Sequence, residues 1–504
     1  MFSRVLDYLS RDNLIFKKRQ SGVLLHITSL PNQFGIGDIG PQAYKMIDRL
    51  VEMGQSLWQI LPTNPPDNHN CPYSASSAFA NNPYFISPEL LVQDELLSAD
   101  EISNPPKFQL NQVDFNQVIP WKKNLLQKAI HRFRQNNTNQ KPFKEFCQLN
   151  SYWLNDFALF EVLREHHNGK DWIDWEIKYR SRSNSDLDEF QKANFEKIES
   201  IKILQFIFDF QWRKFQAYAI SKGIQLIGDI PIYIAYNSVD VWANNHLFKL
   251  DESGKMITQS GCPPDFFIED GQVWGHPIYD WEKHKSEGYN WWLNRMRHLY
   301  SYVDIVRIDH FNGFVKYWEI PANHNVGKNG IWVQGPKEKL FKKFYEELNQ
   351  PQIMAEDLGE ASFDAIPLRE AFDIPGMKIL QMSFSDKDPF KDIEQNLVVY
   401  TGTHDNDTTV GWYQKMDSES LNAKKLLNLN GQDVHWPFIE YTLDSAATTA
   451  IIPMQDILGL DSKSRMNTPG IIGPNWEWRF DDAQLTHEII QKMKQITIQS
   501  NRVK

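Results

Sequence analysis

Val303-Asp304-Ile305-Val306-Arg307-Ile308-Asp309-His310 reads as a strand that leaves the protein interior and ends on charged residues. Ile305 and Val306 supply the β-branched run of a strand buried on both faces. Side chains two positions apart on a strand share a face, so Arg307 lies beside Asp309, where a guanidinium would lower the carboxyl pKa and keep it ionised. Taken alone, this spacing describes a structural ion pair as well as a catalytic one. Two later apolar runs change the balance. Residues 352–359 close on Glu356 and Asp357, and residues 397–406 carry Asp405.

Acidic residues at the ends of several successive strands point to a (β/α)8 TIM barrel, because there the C-terminal ends of different strands converge on one face. Working outward, strands are expected at 22–27, 56–61, 224–231, 303–310, 352–359, 376–384, 397–406 and 449–456, eight in all. The fold class is therefore α/β, with a large, mainly helical insertion between strands 2 and 3 at about 63–222 and further long βα loops, including an active-site loop region at about 236–298. The barrel is expected to occupy 21–504, with a closing helix at 485–500. Residues 1–20 read as an amphipathic extension with Phe2, Val5, Leu6 and Leu9 on one helical face; Arg4, Asp7, Arg11 and Asp12 argue against a signal peptide or a membrane anchor.

A length of 504 residues would suggest about three domains, yet a barrel with insertions exceeds about 400 residues as one unit. Hydrophobic residues at 41% and charged ones at 23% describe an ordinary globular protein, and a net charge of −11 argues against a nucleic-acid binder. Cys71, Cys147 and Cys262 are far apart and odd in number, so neither a disulfide framework nor a zinc site is expected, and a reducing cytoplasm is the expected compartment. Gly35, Gly37 and Gly40 match the spacing of a dinucleotide fingerprint. However, Thr28 to Phe34 separate them from the strand and the next strand ends in Pro62 rather than an acid, so no cofactor is expected. Lys122, Lys123, Lys128, Arg132 and Arg134 read as a solvated helix face.

Three carboxylates and an arginine on one rim suit glycosidic bond cleavage. Its oxocarbenium-like transition state calls for a carboxylate nucleophile and a carboxylic acid that protonates the leaving oxygen. A third anion can hold sugar hydroxyls. Seventeen tryptophans offer rings on which the C–H faces of glucose stack, although most are expected to pack the core.

Seven motifs in order then carry a resemblance. They are Ser21-Gly22-Val23-Leu24-Leu25-His26 with Thr28-Ser29-Leu30-Pro31, the 73–83 loop, Gly228-Asp229-Ile230-Pro231, Arg307-Ile308-Asp309-His310-Phe311, Ala355-Glu356-Asp357-Leu358-Gly359, Gly402-Thr403-His404-Asp405-Asn406, and Ser464-Arg465-Met466-Asn467-Thr468-Pro469-Gly470 with Asn475-Trp476-Glu477-Trp478-Arg479. From about Ser21 to Phe480 the chain resembles the 4-α-glucanotransferases of the amylomaltase, or disproportionating enzyme, type. The resemblance implies Asp309 as nucleophile, Glu356 as acid and then base, and Asp405 on the hydroxyls of the glucose being cleaved. It also implies His404 and Arg307 beside that sugar, Tyr73 stacked on it, and Asp229, Asn467 and Asp456 on the rim.

On the same resemblance, residues 263–267 match a loop over the acceptor side, making Asp265 and Phe266 substrate-binding. Phe266 stands where many members carry tyrosine, which removes a hydroxyl from the acceptor side. Glu356 would need a raised pKa, and Asp357 is the neighbouring anion expected to raise it. The implied partners are malto-oligosaccharide or glucan donors and acceptors, with no metal, nucleic acid or membrane, and the expected state is a monomer or weak homo-oligomer. No separate glycan-binding module is expected. A glucan hydrolase would use the same carboxylates, and a non-catalytic glycan-binding barrel should have lost at least one of them.

Overall fold

The computed structural model describes residues 15–503 apart from 68, 137–138, 265–268, 360–361, 385–388, 391–392, 416–419, 430, 432 and 472. Eight parallel strands form its centre: β1 Gln20–Leu24, β2 Leu57–Gln59, β3 Gln225–Pro231, β4 Ile305–Asp309, β5 Ile353–Ala355, β6 Gly376–Ile379, β7 Leu397–Tyr400 and β8 Thr449–Pro453. Their spatial order is β6-β7-β8-β1-β2-β3-β4-β5. The two ends of this sheet are sewn together by side chain and backbone: Ala355 N–H donates to Pro375 O at 2.9 Å, and Met377 N–H donates to the Asp357 carboxylate at 2.8 Å. Val23, Leu57, Ile227, Val306, Met354, Val399 and Ile451 are fully enclosed, as expected of strands covered on both faces.

The strands are shorter than their apolar runs. After β6 the chain tightens into a 3₁₀ turn, Leu380–Met382. After β7, Asn406 Oδ1 accepts from both Thr403 N–H and Thr403 Oγ–H at 2.9 Å, so a side chain takes over from the ladder and folds the segment back across the rim.

Between β2 and β3 lie most of the long helices, among them α1 Phe115–Gln135, α2 Ser151–His166 and α3 Phe195–Ser221. Helix α3 has little amphipathicity because both sides are covered. On one side Phe206 meets Phe133, Phe143 and Phe146 edge-on at 5.6–5.8 Å; on the other Phe215 meets Trp58 of β2 at 5.7 Å. Two buried glutamines of α3 pair with loop backbone as a strand would. Gln205 accepts from Asn81 N–H at 2.9 Å and donates to Asn81 O at 2.8 Å, while Gln211 accepts from Ser87 N–H at 2.8 Å and donates to Ser87 O. The loop that begins at Tyr73 is thereby anchored to a helix.

Lys122 departs from the solvated face expected of its run. It is 1% exposed; its ammonium reaches Asp38 at 3.2 Å and the carbonyls of Tyr84 and Ile86 at 2.9 Å. A single lysine in a run of basic residues turned inward because these acceptors met it there, which periodicity does not report.

A second, antiparallel sheet was not expected. It is formed by Thr258–Cys262, Gln272–Pro277, Lys316–Pro321 and Ile331–Gln334, with Thr258–Cys262 between Gln272–Pro277 and Lys316–Pro321 and with Ile331–Gln334 at the edge. The Thr-Gln-Ser-Gly-Cys strand has no alternating apolar pattern. It becomes a strand by pairing with a segment that follows β4, a long-range event. Among the described residues, no helix is long and apolar enough to cross a membrane.

Candidate active site

Arg307 is the hub of the rim. It stands opposite Asp229 in the β3–β4 register and is 1% exposed. Its Nη1 donates to both oxygens of Asp229 at 2.7 Å and to Asp309 Oδ1 at 3.2 Å, while its Nη2 donates to Glu356 Oε2 at 2.8 Å. One planar fork thus spans three strands, which a lysine could not do. Asp229 Oδ2 also accepts from Tyr73 O–H at 2.7 Å, fixing the first long loop to the barrel.

Asp309 closes β4 and Glu356 follows β5 directly. Between them the backbone takes a left-handed step at His310, φ 51° and ψ 49°, a conformation that costs a side-chain-bearing residue about 1 kcal/mol or more. That step turns His310 N–H onto Glu356 Oε2 at 3.0 Å. Asp309 and Glu356 are held side by side on the Arg307 guanidinium, one on each terminal nitrogen. Burial and the adjacent Glu356 charge push the Asp309 carboxyl well above the usual range, against the opposing pull of Arg307. Glu356 behaves oppositely: burial would raise it, but the Arg307 charge and the hydrogen bonds from Asp309 and His310 bring it down to about 2.

This reverses two expectations drawn from the sequence. Arg307 does not hold Asp309 as the anion of the free site, since its shortest contacts go to Asp229 and Glu356. Nor does Asp357 raise Glu356: its carboxylate points away, paired with Arg369 at 2.6 Å and with Met377 N–H at the barrel seam. Adjacent residues leaving a strand end face opposite ways, so adjacency in sequence placed this anion in the barrel wall.

Asp405 lies across the rim with a half-exposed carboxylate. Asn467 Nδ2 donates to its Oδ1 at 2.6 Å, His404 Nε2 stands 3.4 Å from the same oxygen, and Arg465 ties the two loops by donating to Asp405 O at 2.5 Å and Asn467 O at 2.6 Å. Tyr73 is stacked on His404, ring centroids 5.0 Å apart and planes 12° from parallel. Trp476 leans on both rings, at 5.8 and 5.9 Å.

A family model described as 4-alpha-glucanotransferase matches residues 25–486. The chain belongs to the 4-alpha-glucanotransferase family. It is 42% identical to a 4-alpha-glucanotransferase of Synechocystis over 93% of this chain and 95% of that protein, and 41% identical to one of Streptococcus pneumoniae over 97% and 98%. Among solved structures it is similar to an amylomaltase from Streptococcus agalactiae in complex with acarbose, with 35% identity, a TM-score of 0.93, and coverage of 97% of this chain and 100% of that one.

Of the rim positions that resemblance to the glucanotransferases singled out, the structure brings Tyr73, Arg307, Asp309, Glu356, His404, Asp405 and Asn467 to one face. Asp229 is behind them, with both carboxylate oxygens engaged by Arg307 and Tyr73. Asp456 does not reach the face. It is 1% exposed, its carboxylate accepting from Thr401 Oγ–H, Thr409 N–H and Thr409 Oγ–H at 2.5–2.8 Å, so it joins two rim segments instead of meeting solvent. Asp265 and Phe266 lie outside the described residues. Residues not singled out also enter. Trp274, from the second sheet, sets its ring edge-to-face on His310 at 4.9 Å, and Arg465 and Trp476 brace the Asp405 side. Trp476 and Arg465 stood within quoted motifs, whereas Trp274 carried no local signal.

Proposed function

We propose that this chain is a retaining 4-α-glucanotransferase in which Asp309 and Glu356 carry the bond-making and bond-breaking steps. The observation that carries the reading is that one guanidinium holds both carboxyls, Asp309 on Nη1 at 3.2 Å and Glu356 on Nη2 at 2.8 Å. An inverting enzyme needs a separation of about 6.5–9.5 Å so that a water can attack from between them; carboxyls this close suit attack by one of them instead.

In the first half, the Asp309 carboxylate attacks the anomeric carbon while the bond to the departing glucan oxygen breaks and Glu356 supplies its proton. In the second half, the 4-hydroxyl of an acceptor glucose attacks the resulting ester, gives its proton to Glu356 and frees Asp309. Glu356 Oε2 already accepts from Arg307 and His310 N–H, so Oε1 is the oxygen that bears the catalytic proton. The free site favours that proton on Asp309, and the reaction requires it on Glu356. Held side by side on Arg307, the two carboxyls exchange the proton as substrate settles.

Asp405, with His404 and Asn467 beside it, is the anion for sugar hydroxyls, and Tyr73 and Trp476 supply the aromatic wall. Arg307 holds the anions in register, with Asp229 as its support. The donors and acceptors are malto-oligosaccharides or longer glucans, and the enzyme works as a monomer or weak homo-oligomer in the cytoplasm. The test is incubation with maltotriose and resolution of products by chain length. Longer glucans together with glucose or maltose, without net gain in reducing ends, are expected. Shorter products alone with rising reducing ends would make the enzyme a hydrolase and overturn the transfer assignment.

A further inference from the structure

His26 closes the first motif of the chain and touches none of the carboxylates described above. It is 5% exposed, and His404, on the opposite side of the sequence, is 6% exposed. Both line one small cavity beneath the rim, of about 20 Å3, together with Ser29, Thr403 and Gln455. Each of the two imidazoles has an Nδ1 without a protein hydrogen-bond partner. Two unpartnered buried nitrogens on residues that line one space are costly unless something in that space pairs with them. A volume of this size accommodates one water, which needs about 2–4 polar partners.

The tautomer of His404 follows from its other nitrogen. Nε2 stands 3.4 Å from Asp405 Oδ1, and a carboxylate can only accept, so a ring that carries one proton is favoured with it on Nε2. Nδ1 is then an acceptor and requires a donor. The hydroxyls around the cavity cannot serve, since Ser29 Oγ–H is given to Trp478 O at 2.7 Å and Thr403 Oγ–H to Asn406 Oδ1 at 2.9 Å. Both hydroxyl protons are thus already spent.

We infer that His26 is a positioning residue: it holds one buried water that donates to His404 Nδ1, and so fixes the proton of His404 on Nε2, facing Asp405 and the sugar. His26 stays neutral in this arrangement, burial and the neighbouring His404 keeping it down to about 3. Phe85 sets its ring edge-on to His26 at 5.6 Å and fixes the ring plane. Leu24, Leu25 and Met466 line the same cavity. The kinetic consequence rests on His404 binding sugar; the tautomer does not.

The test uses the full chain with 15N-labelled histidine, in which two-bond proton–nitrogen spectra distinguish an Nδ1–H ring from an Nε2–H ring. The His404 signals are assigned by their loss in His404→Gln. Wild type at pH 7 is expected to show the His404 proton on Nε2 and none on Nδ1. His26→Phe keeps the ring and its contact with Phe85 but removes the nitrogen; His404 is then expected to become a mixture of tautomers, and kcat/KM for maltotriose to fall about 3- to 10-fold, chiefly through KM, the worth of one hydrogen bond. His26→Asn, which restores a polar atom, is expected to recover the Nε2–H form and most of the kcat/KM, and it decides the matter if His26→Phe does not fold. An Nδ1–H ring in wild type, or a tautomer and kcat/KM in both variants within about twofold of wild type, overturns the inference. An enzyme with the Nε2–H tautomer but no transfer activity would instead fault the functional reading.

Discussion

Replacing Arg307 by methionine keeps a stem of similar length and removes the charge shared by one buried carboxylate, Asp229, and two partly buried ones, Asp309 and Glu356. Arg307 contacts Asp229 twice at 2.7 Å, Asp309 at 3.2 Å and Glu356 at 2.8 Å. Removing one partner of a buried pair costs about 3–5 kcal/mol, because the other charge stays behind unpaired. An unfolding entropy of about 2.1 cal/mol/K per residue gives roughly 1 kcal/mol per degree for cooperative unfolding of a chain this long, so Arg307→Met should melt about 3–5 °C below wild type at pH 7. The pH dependence has a definite sign. Glu356 is depressed from 4.5 to about 2 in the folded protein, so the stability it contributes is fully present above its unfolded value and is lost as pH falls through the folded one. The gap between wild type and variant should therefore be widest near neutrality and shrink as pH drops from about 4.5 toward 2. Asp309, raised well above the ordinary range, carries its proton in both proteins through that acid range. Calorimetric melts across a pH series measure the gap, and a maltotriose assay beside them should show kcat lower by about 10²–10³. A variant that melts within about 1 °C of wild type at pH 7, or a gap that stays constant into acid, would refute the account of Arg307 as the shared counter-ion.

Asp309→Ala and Glu356→Gln should each lose at least about a thousandfold in transfer rate with unchanged circular dichroism, since each removes an essential role; near-normal turnover in either would reassign that role. Asp357→Ala, one residue from Glu356, should instead lower stability by about 3–5 kcal/mol through its orphaned Arg369 partner while leaving kcat within about threefold. A denaturant titration beside the kinetics separates the two acids. Asp456→Ala should cost about 3 kcal/mol by stranding Thr401 and Thr409 yet leave KM for maltotriose unchanged, whereas Asn467→Ala, which frees the Asp405 carboxylate, should raise KM with little loss of stability. A raised KM in the Asp456 variant would return that residue to the sugar-binding face.

The eight strands and the three rim carboxylates were legible in the chain because both are local signals: a short apolar run followed at once by an acid marks a buried parallel strand and its C-terminal end. Resemblance extended this to Tyr73, His404 and Asn467 through motifs with fixed internal spacing. What each charge does was not legible. Arg307 sits two residues from Asp309, yet its shortest ion pair is with Asp229, 78 positions away, and its grip on Glu356 lowers the carboxyl that sequence reasoning had raised. Asp357 and Asp456 looked like rim acids and became parts of the wall, Lys122 looked solvated and is buried, and Thr258–Cys262 joined a sheet that no periodicity announced. The physical reason is common to all of these. A buried barrel strand announces itself through the side chains within it, but the pairing of Thr258–Cys262, the burial of Lys122 and the protonation state and role of each carboxylate depend on partners, charges and donors brought in from distant segments, and only the closed fold sets those distances.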